Sequence, residues 1–192
     1  MKNPTNHPIH QALGSRWSPY SFDPEQEVST DDLAGIFEAA RWTMSSYNAQ
    51  PWRYIVGVRN RTQAVWEQVF ESLLEGNQAW ARNAPVLALG LTEALFEHNG
   101  KPNMAHQHDL GAASASLTFE ATTRGLVVHQ MIGIDRDKAC DLFNLTGTIQ
   151  PFTGLAIGYT GSANSVGEEY AKRDLKKRER KLMDDIIIHG GF

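Results

Sequence analysis

Cysteine is all but missing here: Cys140 stands alone among 192 residues, so no disulfide can form within the chain. That points to a reducing, cytoplasmic setting. Long apolar runs are lacking as well. The longest, residues 86–91 and 186–188, are strand-sized and far below the roughly 20 apolar residues of a membrane span. The first 13 residues are polar, carry Pro4 and Pro8, and hold no apolar stretch of the kind a secretory signal needs. They read as a flexible N-terminal extension. Positive charge is not in excess either. The formal net charge is -4, which argues against a nucleic-acid binder, since phosphate contacts call for a basic surface.

Several chemical motifs are also absent. There is no glycine-rich phosphate loop, so an anion would have to be gripped by side chains. Neither a Cys-x-x-Cys pair nor a Ser-His-Asp motif context occurs. His106 and His108 form a short His-x-His, but nothing at suitable spacing completes a metal site. No metal is expected.

What is present describes one globular domain over residues 1–192. Hydrophobic residues make up 41% and charged residues 21%, neither a disordered nor a membrane composition. Ser29 can cap a helix whose apolar positions are Leu33, Ile36, Phe37 and Ala40, and residues 45–51 end it. Residues 54–58 read as a buried strand, 62–74 as a helix and 86–91 as a second strand. Asp109 is expected to open a helix rich in small residues, 111–116, suited to close packing or a subunit interface. Strands at 126–130 and 154–159 follow, with a short helix capped by Asp135 between them. A basic stretch, 172–181, precedes a final expected strand at 185–189. Strands and helices mix without a strict βαβ rhythm, so the class is α+β.

Five segments carry the chemistry. Arg16-Trp17-Ser18 is a basic and hydroxyl pair whose bland reading is a solvated arginine. Ser45-Ser46-Tyr47-Asn48-Ala49-Gln50-Pro51-Trp52 places hydroxyl and amide groups between a helix and a strand. Asn77 lies before Ala84-Pro85, where it could equally cap a helix that ends after Gly76. Residues 125–135 contain His129-Gln130-Met131-Ile132-Gly133, and Arg178-Glu179-Arg180 lies near the end. Arginine forks suit phosphate oxygens.

Together these segments resemble the nitroreductase family from Arg16 to the C-terminus. The resemblance implies a three-layer α+β sandwich, with an antiparallel-rich sheet wrapped by helices. It implies an interleaved homodimer that exchanges its last strand, with FMN at the interface. Arg16, Ser18, Arg178 and Arg180 would hold the phosphate end. Ser45, Ser46 and Asn48 would touch the flavin of the partner subunit, while Gln50 and Trp52 hold the loop. Asn77 would meet the pyrimidine edge. His129, Gln130, Met131 and Gly133 would line the ring, with a backbone N–H near Ile132 or Gly133 on N5. His129 is either a proton-transfer group or a structural one.

The implied activity is ping-pong hydride transfer from NADH or NADPH to a small electron-poor acceptor: a nitroaromatic, quinone or activated alkene. A reductive dehalogenase or desaturase on the same scaffold, or a non-catalytic FMN-binding protein, are the alternatives. Two positions depart from the family pattern. Tyr20 stands where many members carry a second basic residue and Trp80 where some carry a lysine, so Arg16, Arg82 or backbone amides would have to stabilise reduced flavin. The segment 93–108 is short for the family, which implies an open flavin face.

Overall fold

The computed structural model describes residues 3–191. The apolar run after Pro85 forms its central strand, β2 (Val86–Glu93), which is covered on both faces. It pairs antiparallel with β1 (Trp52–Val58) and β4 (Ile149–Gly158), and β3 (Val127–Met131) closes the far edge against β4. The order is β1-β2-β4-β3. Side chains alternate across a strand, so Leu87, Leu89 and Leu91 enter one core, while Val86 and Ala88 enter the other. This is the three-layer, antiparallel α+β arrangement that the sequence implied.

The first core lies under α3 (Gln63–Glu71), α4 (Glu75–Ala81) and α6 (Arg136–Phe143), which contribute Trp66, Val69, Trp80 and Ala139. The second lies under α2 (Thr30–Arg41) and α5 (His106–Thr123), which contribute Ile36, Ala40, Leu110, Ala113 and Leu117. Ser29 caps α2 by accepting from the Asp32 N–H at 3.0 Å. Small residues let α5 sit close to the sheet, and the Ser114 hydroxyl meets the Tyr54 hydroxyl at 3.1 Å. A short α1 (Gln11–Ser15) packs against α5, and α7 (Glu168–Leu175) follows the sheet.

Four expectations need correction. The helix expected over 62–74 is α3, which stops at Glu71; Leu73 then bridges Ile134, and a separate helix, α4, begins at Glu75. Asn77 therefore sits in the first turn of α4 and does not cap the end of a helix. The third helix begins at His106, with Asp109 inside its first turn. Residues 185–189 form no strand within this chain. Met183–Asp185 is a 3-10 turn, and Gly190 and Gly191 follow with positive φ. A strand exists only through its ladder, and an apolar triplet without a neighbouring edge has none. Among the described residues, no helix is long and apolar enough to cross a membrane.

Candidate active site

The candidate site residues lie in three places. At the first, the chain leaves α1 at Arg16, whose N–H still bonds the Ala12 carbonyl. The Arg16 guanidinium donates to the Ser18 hydroxyl at 3.2 Å. Arg178, far along the chain, donates to the Arg16 carbonyl at 3.1 Å and lies 5.6 Å above the Trp17 ring. Arg16, Arg178 and Arg180 line one cavity of about 190 Å³. Burial pushes the Arg16 pKa down, and the charges of Arg180 and Arg178 push it further. Burial and Arg180 act on Arg178 in the same direction. Arginine stays protonated regardless, so three positive charges are held together at a cost that an anion would offset. The donor set fits a phosphate.

From Arg16 a cleft of about 320 Å³ runs between α5 and the edge strand β3, lined by Ser18, Thr118, Val128 and Gln130 among others. The Gln130 amide is fixed from behind, donating to the Ser114 carbonyl at 2.9 Å and the Thr118 hydroxyl at 2.8 Å. Strand alternation sends its neighbours the other way. Met131 enters the first core. His129 stacks on Trp80 at 4.4 Å and meets the Tyr20 ring at 4.8 Å. Its Nδ1 lies 2.8 Å from the Pro19 carbonyl, which can only accept, so Nδ1 carries the proton. Burial lowers the His129 pKa against the opposing pull of Pro19 and Asp174, favouring a neutral ring. Trp80 is 1% exposed and belongs to the core. Arg82 donates to the Gln78 carbonyl at the end of α4, and is not among the residues lining the cleft.

Just past β3, Ile132 is exposed and Gly133 turns the chain. The Gly133 carbonyl accepts from Asn77 Nδ2 at 2.8 Å and from the Leu74 N–H at 3.0 Å. A Cβ on Gly133 would stand 2.5 Å from Asn77 Nδ2, so only glycine allows this contact. The structure thus brings Asn77 and Gly133 together, although they lie far apart in the sequence.

The third place is the loop 45–50. Tyr47, Asn48 and Gln50 all have positive φ, at 52°, 53° and 47°. Asparagine tolerates this region, but tyrosine and glutamine do so only where surroundings enforce it. The Ser45 hydroxyl accepts from the Gln50 N–H, and the Ser46 N–H donates to the buried Asp109 carboxylate, each at 3.0 Å. The short segment after β2 leans on the loop, with Phe96 and Tyr47 rings 5.8 Å apart. That segment is a turn bridged by Leu95 and Pro102. Trp42, Met44 and Tyr47 are exposed beside it. Within this chain, Ser45, Ser46 and Asn48 do not line the cleft that holds Arg16 and Gln130.

Sequence reasoning missed the bracing roles of Asp109 and Asp174. The Asp174 carboxylate accepts from the Tyr20 and Ser21 N–H groups at 2.8 and 2.9 Å and from the Ser21 hydroxyl at 2.6 Å, which fixes the segment carrying Pro19. Its partners are more than 150 positions away, so no local pattern signals it. Among the described residues, no group of three or more His, Cys, Asp or Glu could hold a metal ion.

Known proteins bear on this arrangement. A solved structure described as an oxidoreductase containing FMN is 30% identical, with a TM-score of 0.90, covering 99% of this chain and 96% of its own. An uncharacterised 15.4 kDa protein from Mycolicibacterium smegmatis is 37% identical over 43% of this chain and 55% of its own length. The major NAD(P)H-flavin oxidoreductase of Aliivibrio fischeri is 36% identical over 38% of this chain. The alignments span about half of the first of these two relatives and a third of the second. The profile described as "Nitroreductase family" matches residues 13–159, from α1 through β4, and so takes in Arg16, the 45–50 loop, Asn77 and Gly133. The chain belongs to the nitroreductase family.

Proposed function

We propose that the protein is an FMN-dependent oxidoreductase that moves hydride from NADH or NADPH to small electron-poor acceptors such as nitroaromatics, quinones and activated alkenes. The observation that carries this is the convergence of Arg16, Arg178 and Arg180 on one cavity, which shares Arg16 with the cleft lined by Gln130. Support comes from the FMN named for the 30% identical structure and from the NAD(P)H-flavin activity named for the Aliivibrio relative.

The three arginines would bind the FMN phosphate, with Ser18 beside them. Gln130 would line the ring, and the 132–133 peptide together with Asn77 would meet its polar edge. Bound FMN would supply the redox chemistry, taking hydride from the nicotinamide and passing it to the acceptor in a ping-pong sequence. The chain's own residues bind and orient. His129, neutral and hydrogen-bonded to Pro19, packs against Trp80 and Tyr20 on the face of β3 away from the cleft, a structural role. Ser45, Ser46 and Asn48 would serve the flavin of a second copy in a homodimer. We place this activity in the cytoplasm. The short 93–108 segment leaves the flavin face open, so acceptor choice should be broad.

The test is to identify the flavin in the purified protein and measure initial rates while varying NAD(P)H and a quinone together. FMN with parallel double-reciprocal lines supports the reading. FAD, or intersecting lines from a ternary complex, would overturn it.

A further inference from the structure

Composition suggests that the first residues are a loose tail, yet Asn3 is tied to the arginine cavity. Its N–H donates to the Gly14 carbonyl at 2.6 Å, and its side-chain amide donates to the Leu13 and Arg16 carbonyls, each at 3.0 Å. These carbonyls lie at the C-terminal end of α1, where a helix leaves acceptors without internal partners. The Arg16 carbonyl also accepts from Arg178. One oxygen thus receives both Asn3 and Arg178, joining the N-terminal segment to the far end of the chain. Asn3, Pro4, Thr5 and Ile9 line the same cavity as the three arginines.

Resting on the function proposed above, we propose that Asn3 is a positioning residue for phosphate recognition: it fixes the backbone that presents Arg16 and Arg178, and residues 3–9 form a strap along the phosphate end of the flavin site. Three like charges need a fixed frame to converge on one anion. The α1 terminus alone is a single short turn of five residues. The strap supplies a second attachment, so flavin with a phosphate should feel its loss, whereas flavin without one should not.

The experiment compares FMN with riboflavin, which lacks the phosphate, by fluorescence titration of the flavin-free full-length protein. Asn3→Ala removes both side-chain donors. Asn3→Asp keeps the size, removes the same donors and adds a negative charge beside the cluster. The wild-type protein should bind FMN far more tightly than riboflavin. Asn3→Ala should weaken FMN about tenfold, because the loosened arginines must then be ordered on binding, and Asn3→Asp should weaken it further, with riboflavin binding unchanged. Equal weakening of both ligands would make Asn3 merely structural and overturn the inference. So would an unchanged FMN preference in both variants. A wild-type protein with no preference for FMN over riboflavin would instead undo the underlying phosphate assignment.

Discussion

The buried carboxylate of Asp109 accepts a hydrogen bond from the backbone N–H of Ser46 at 3.0 Å, and so ties the start of α5 to the loop 45–50. The Asp109 side chain is only 4% exposed and also meets His108 Nδ1 at 3.1 Å. It braces a loop that holds three non-glycine residues at positive φ. Replacing Asp109 with Ala should cost about 1.5–3 kcal/mol, the range for a hydrogen bond to a charged group, with Asn intermediate. Denaturant unfolding would measure this. A loss below about 0.5 kcal/mol for Asp109→Ala would mean that the loop holds itself.

The arginine cluster gives a second expectation. Arg178→Ala together with Arg180→Ala should strip most of the flavin, since each charge-assisted contact is worth about 1.5–3 kcal/mol. Flavin occupancy after dialysis is the measurement, and full occupancy in the double variant would remove these residues from the site.

Much of this was readable in the sequence, and the rest was not for definite reasons. Ser29 as a cap, the run at 86–91 and the small residues of α5 are local patterns, and local patterns report secondary structure. The arginines of 16, 178 and 180 could be paired only through the family resemblance, because nothing in their spacing brings the two ends of the chain together. Asn77, which the resemblance places at the flavin edge, could equally be read as a helix cap because Gly76 precedes it. The structure removes the cap, and a tertiary contact, from Asn77 to the Gly133 carbonyl, holds the side chain instead. Asp174, which braces the Pro19 segment, has neither a motif nor a nearby partner. The triplet 186–188 reads as a strand by composition, but strand formation depends on a neighbouring edge that composition does not encode.

His129 gives a pH expectation. Burial lowers its pKa in the folded protein, so the unfolded chain takes up the proton first as the pH falls. The stability that His129 contributes is therefore complete above about pH 6.5 and is lost as the pH drops from there toward the folded-state pKa. Between about pH 7 and 5, wild-type unfolding free energy should fall more steeply than that of His129→Phe. Equal slopes, or a steeper slope in the variant, would contradict a buried neutral histidine.

The proposed homodimer can be tested at the C-terminus. Leu182, Ile186 and Ile188 are exposed at 65%, 62% and 79%, and Trp42, Met44 and Tyr47 are exposed beside the loop 45–50. Removing the chain from residue 184 onward should release monomers and lower flavin content together. Sedimentation analysis would show this. A fully flavinated monomer, from either the whole or the shortened chain, would contradict the shared site.

The central claim, hydride transfer through a bound flavin, is met most directly by one anaerobic measurement. The flavin-loaded protein is mixed with NADH or NADPH while its visible absorbance is followed, and a quinone is then added. Bleaching by the nicotinamide and full return of the yellow spectrum on addition of the quinone are expected. A spectrum that stays oxidised with both nicotinamides would contradict it, and would mark the protein as one that holds FMN without turning over.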